Sequence, residues 1–208
     1  MIEPGEAPSN DRVERRGGRL TLIVGFALAG LLGVAVWWAA SLGPRIKVPQ
    51  GVPADVSEIV DRTWPVFLDT FPARTGCIGD VTLLLVFDVE GGAAVYAPDN
   101  ATIRIEIPTT PERFEESLVH ELGHHLEHRC DPVESIGDAF VAAEGLDPET
   151  AWFDRDRWFE APTEHFAEAV VQLTLGERRI HADRFTVRDA SLRLVADWGR
   201  DASDSAKP

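Results

Sequence analysis

Leu20 to Ala40 is a run of 21 residues without a charge. As a helix rising about 1.5 Å per residue it would reach roughly 31 Å, enough to cross a hydrocarbon core. Soluble helices of this length normally keep a polar face, and this run has none. The expectation is a single transmembrane helix over residues 20–42, with Trp37 and Trp38 placed as interfacial aromatics near its outer end. A cleaved secretory segment is the alternative, since Ala39-Ala40-Ser41 offers small residues for cleavage. Secretory apolar cores are shorter, however, about 7–15 residues.

Arg12, Arg15, Arg16 and Arg19 precede the run, whereas Arg45 and Lys47 follow it. The excess of bases on the N-terminal side places tail 1–19 in the cytoplasm and the rest of the chain outside. The tail is rich in Pro, Gly and charge and should be disordered. Its acids and bases balance, so the net charge of −15 (35 Asp and Glu against 20 Lys and Arg) lies beyond the membrane. Nucleic acid is therefore excluded as a partner, because phosphate binding needs a basic face. In an external compartment the two cysteines, Cys77 and Cys130, are expected to form a disulfide.

Residues 43–53 hold three prolines and two glycines and read as a linker. A domain over 54–199 and a loose tail over 200–208 follow. Val56, Ile59, Val60, Trp64, Phe67, Leu68 and Phe71 mark one apolar helix face, in which Pro65 predicts a kink or a break. Val81 to Val89 reads as a buried strand. Ala93 to Ala97 and Ala101 to Ile107 flank the turn Pro98-Asp99-Asn100. In the second of these, alternating isoleucines predict a half-buried strand able to pair with an extended peptide. Helices are expected to about Arg129 from Pro111 (capped by Thr110), over Glu134 to Glu144, over Pro162 to Leu175, and over Asp189 to Trp198. The fold class is α+β.

Within the helix beginning at Pro111, His120-Glu121-Leu122-Gly123-His124 has the form HExxH. Residues four apart share a helical face, so both imidazoles can reach one zinc ion. The Phe114, Leu118, Leu122 and Leu126 stripe lies almost opposite, leaving the histidines turned to a cleft. Glu121 lies beside that face, where a general base would stand. A catalytic zinc normally has three protein ligands. A third histidine in the HExxHxxGxxH pattern is missing, because those positions hold Glu127 and Cys130. The third ligand is then an acid from downstream, with Glu164, Glu144 and Glu134 as candidates in that order. Glu164 and Glu168 lie four apart on one helix face, so one can ligate while the other hydrogen-bonds a ligating histidine.

HELGHH followed some forty residues later by EHFAEA resembles the zincin metallopeptidases of the gluzincin kind, in particular the branch that includes the anthrax lethal factor catalytic domain. The resemblance covers roughly Val81 to Leu175, with Val170 where that branch often has phenylalanine. It implies a zincin-like domain with a mixed sheet whose edge strand, here Ala101 to Ile107, borders the cleft. It implies Zn2+ held by His120, His124 and Glu164, Glu121 as general base and Glu168 behind the ligands. The implied activity is hydrolysis of peptide or protein substrates. Tyr96 and His181 are candidates to stabilise the oxyanion. His125, His128 and His165 are expected at the surface or behind the ligands, and Trp152, Trp158 and Phe159 in the core. The alternative is a membrane-anchored zinc-site module that binds or senses without hydrolysis.

Overall fold

The computed structural model describes residues 43–89, 92–154, 156–176, 178 and 186–201. The expected transmembrane segment, the N-terminal tail, His181 and residues 202–208 lie outside them. Among the described residues no helix is long and apolar enough to cross a membrane. The described part is α+β, with one four-stranded sheet and six α-helices.

The strands are β1 (Ile46–Lys47), β2 (Val81–Val86), β3 (Ala94–Ala97) and β4 (Thr102–Glu106), in sheet order β1-β2-β4-β3. β1 and β4 both run parallel to β2, while β3 returns antiparallel to β4. The stretch read as linker holds β1, anchored by Lys47 to Asp80 at 2.9 Å and by the Trp64 indole on the Pro44 carbonyl at 3.2 Å. One expectation is corrected here. The strand expected at the edge is central: Ile103 and Ile105 are 0% and 1% exposed, and β3 covers the side that would have been free. On that side the edge strand among the described residues is β3.

Helix α1 (Ala54–Thr70) buries Val56, Ile59, Val60, Trp64 and Phe67. It continues through Pro65 without the expected break. Proline removes one N–H and leaves the carbonyl four residues back unpaired. That carbonyl belongs to Asp61, and both residues are exposed, so water can satisfy it. A short helix α2 (Thr75–Ile78) precedes β2. The long helix α3 (Pro111–Cys130) touches β3 and β4, α1, α2 and the later helix α5 (Pro162–Leu175). Between them α4 (Pro132–Glu144) folds back after a single residue, Asp131. This residue adopts φ 46°, ψ 64° and caps the start of α4 by accepting from the Glu134 N–H at 3.3 Å. Helix α6 (Asp189–Arg200) packs on α4 and α5. The buried Arg74 guanidinium binds the Trp198 carbonyl at 2.7 Å and the Asp201 carbonyl at 2.9 Å, closing carbonyls at the end of α6.

Phe67, Phe71, Leu83, Ile103, Phe114, Leu118, Leu122, Leu126, Phe140 and Phe166 are at most 1% exposed. Each such side chain contributes about 1.5–3 kcal/mol. The Cys77–Cys130 disulfide, Cα atoms 5.3 Å apart, ties α2 to the last residue of α3. It closes a loop of sequence separation 53, which the chain-entropy model values at about 4 kcal/mol. Replacing both cysteines by serine is expected to lower the free energy of unfolding by about 2–4 kcal/mol. Denaturant titration checks this; unchanged stability would show that the crosslink does not constrain the unfolded chain.

Candidate metal centre

Thr110 caps α3 by accepting the Arg113 N–H at 3.3 Å, and Pro111 occupies the first helical position. With Phe114, Leu118, Leu122 and Leu126 turned into the core, His120 and His124 face α5. Helix α5 also begins with a proline, Pro162, which puts Glu164 in its first turn. Phe166, Ala169 and Val170 bury the far side of α5. Between the two helices lies Gly123: a Cβ there would sit 2.9 Å from the Ala167 Cα and 3.2 Å from its Cβ. Only glycine allows this approach, which brings the Glu164 carboxylate up to the two imidazoles.

The three ligand atoms of His120, His124 and Glu164 all lie within 4.8 Å of one another. His120 Nε2 is 3.3 Å from Glu164 Oε2, and His124 Nε2 is 3.6 Å from Glu164 Oε1. Two atoms each about 2.1 Å from a tetrahedral zinc stand about 3.4 Å apart, close to these two histidine–glutamate spacings. His120 Nδ1 lies 2.9 Å from Glu168 Oε1. A carboxylate can only accept, so Nδ1 donates to Glu168, and Nε2 is the nitrogen turned towards Glu164. His124 is held likewise: its Nδ1 is 3.4 Å from Glu127 Oε2 and 3.3 Å from Thr163 Oγ1. Thr163 in turn donates to Glu127 at 2.7 Å, and the Trp152 indole N–H donates to the other Glu127 oxygen. Two imidazole nitrogens and a carboxylate therefore converge, and Glu164 Oε2 is buried with no hydrogen-bond partner among the described residues. Such a donor set suits a cation.

Burial pushes the Glu164 carboxyl upward. The His120 contact, the neighbouring His124 and a hydrogen bond from Trp158 outweigh it and hold the group below the usual carboxylate range. Glu121 moves the other way. Burial raises it, the Glu164 charge adds to that, and His120, His124 and the Tyr96 backbone N–H only partly oppose them. One carboxyl is thus kept ionised while its neighbour is made more basic, a separation suited to a ligand beside a base.

The Tyr96 N–H lies on the outer edge of β3. Glu106 N–H bonds the Ala93 carbonyl at 2.8 Å, and Val95 pairs with Arg104. Alternation along an antiparallel ladder then turns the backbone groups of Ala94 and Tyr96 outward. The edge strand accordingly runs beside Glu121.

The other candidates fall elsewhere. Glu144 is buried at the end of α4, bonded to His165 Nδ1 at 3.1 Å and the Arg188 N–H at 3.1 Å. Glu134 is exposed at the start of α4. The Tyr96 hydroxyl is 3.0 Å from the Nδ1 of His125, which is fully buried rather than at the surface. Burial lowers the His125 pKa to about 4, so it is neutral. His128 is exposed and stacks on Phe153 with centroids 5.2 Å apart. Trp152 packs in the core against Phe140 and Phe166, but Trp158 and Phe159 are 42% and 56% exposed. Sequence reasoning missed Glu127, Thr163 and Gly123. Glu127 lies three residues past His124 and Thr163 next to Glu164, so helical spacing carried part of that signal.

Gly123→Ala is expected to destabilise the fold by about 1–3 kcal/mol, because the new methyl meets backbone. It should also weaken divalent-metal affinity roughly tenfold by pushing Glu164 away, comparable to the loss of a residue that orients a ligand. Thermal unfolding and chelator competition measure both; wild-type values would show that the helices have room to spare.

Comparison with protein-family models, with curated proteins and with solved structures finds no match for this chain.

Proposed function

We propose that this chain is a zinc-dependent peptidase, anchored by its N-terminal apolar segment with the catalytic domain outside the membrane. The observation that carries the reading is the convergence of His120, His124 and Glu164, with Glu121 one residue from the first ligand. A disulfide within the domain agrees with an oxidising, extracytoplasmic location. The uncharged run 20–42 supplies the anchor.

His120, His124 and Glu164 would hold the ion. A bound zinc supplies a Lewis acid that acidifies water and polarises a peptide carbonyl. Glu121 takes the proton of the attacking water on its carboxylate and passes it to the departing amine. Its raised basicity favours the first transfer, and the Tyr96 N–H keeps the carboxylate turned to the cleft. Glu168 and Glu127 keep the imidazole rings from rotating. The outward N–H and C=O of Ala94 and the outward C=O of Tyr96 offer a substrate backbone a strand to pair with, which sets the peptide beside Glu121.

Glu121→Gln is expected to retain zinc and lose cleavage of a peptide library by about 10²-fold or more. The folded carboxyl is raised above its unfolded value, so ionising it opposes folding at neutral pH. Removing the charge should therefore leave the metal-free variant at least as stable as wild type. Cleavage at the wild-type rate would refute Glu121 as the base. Zinc content without cleavage in the wild type would point to a binding module instead.

A further inference from the structure

Resting on the metal-site reading above, we propose that Arg178 is a positioning residue that clamps α3 to α5 and holds the carboxylate orienting His120. Arg178 lies three residues past the end of α5. Its guanidinium hydrogen-bonds Glu168 Oε1 and places Nε 3.6 Å from Glu116 Oε2. Glu116 stands on α3 four residues before His120, on the same helical face. The side chains of Glu116 and Glu168 are 3% and 1% exposed and that of Arg178 is 17% exposed, so this bridge is shielded from solvent.

Glu168 engages both neighbours through one oxygen. Oε1 receives His120 Nδ1 at 2.9 Å and the Arg178 guanidinium, while Oε2 is buried without a hydrogen-bond partner among the described residues. The position of the carboxylate therefore depends on the contacts at Oε1. Arginine suits the task because its planar fork presents separated donors to two acids at once, whereas lysine offers a single charge. Without the fork, Glu168 is free to turn and seek a partner for Oε2, and His120 loses the acceptor that fixes its ring. A cation that merely balanced charge would act in the opposite sense, because removing it would strengthen attraction for a divalent ion.

The test uses the full-length protein with zinc alone as ligand, comparing wild type, Arg178→Met and Arg178→Lys. Zinc affinity is read by chelator competition and the His120 ring N–H by nitrogen-15 NMR of the metal-free protein. Both substitutions are expected to weaken zinc roughly tenfold, as for loss of an orienting partner. Both should also expose the His120 N–H to faster exchange with water. Arg178→Lys keeps the buried charges balanced, so it serves if Arg178→Met does not fold. Unchanged or tighter zinc binding in Arg178→Met, or full rescue of affinity and N–H protection by lysine, would overturn the clamp. Were the wild type to bind no zinc, the metal reading would fail on its own, and the His120 N–H would still decide the role of Arg178.

Discussion

Helices α3 and α5 meet so closely at Gly123 and Ala167 that a methyl on Gly123 would press on backbone. The candidate site depends on that approach. His120 and His124 are fixed to α3 one turn apart, and Glu164 and Glu168 are fixed to α5 one turn apart. Neither helix alone can surround an ion. Bringing the axes together aligns the two polar stripes, so that each acid of α5 finds an imidazole of α3. The apolar backs of both helices, from Phe114 to Leu126 and around Phe166 and Val170, supply the burial that keeps them there.

The seam so formed is unusually acidic for a buried surface. Glu116, Glu121, Glu127, Glu164 and Glu168 are each at most 7% exposed. Burying charge is costly unless each group is paired. Four of the five have a recognisable role. Glu168 and Glu127 turn imidazoles, Glu116 meets Arg178, and Glu164 faces both histidines. Glu121 has no cationic side chain of its own, and burial accordingly raises its pKa. A divalent ion among His120, His124 and Glu164 would offset part of this negative charge, so the folded state and the bound cation are electrostatically linked.

Helix spacing made much of this legible in the amino-acid order. The i, i+4 pairs at 120/124 and 164/168 follow from local geometry alone, and Pro162 and Gly176 mark the ends of α5 without reference to the rest of the chain. Contacts set by distant chain segments were not legible. Whether β3 or β4 forms the sheet edge depends on which strand β2 chooses, and alternation in the isoleucines of β4 fits either answer. His125 looks like a surface histidine until β3 lays Tyr96 over it. Trp158 looks like core until Glu164 is placed beside it. Pro65 looked like a helix breaker because its effect depends on whether the Asp61 carbonyl is wet or dry, which only packing decides.

The most direct test is X-ray absorption at the zinc edge of the zinc-loaded full-length protein. Two imidazole nitrogens and a carboxylate oxygen should appear at about 2.0–2.2 Å, with one ion per chain. A shell containing sulfur, or a spectrum that Glu164→Gln leaves unchanged, would contradict the account.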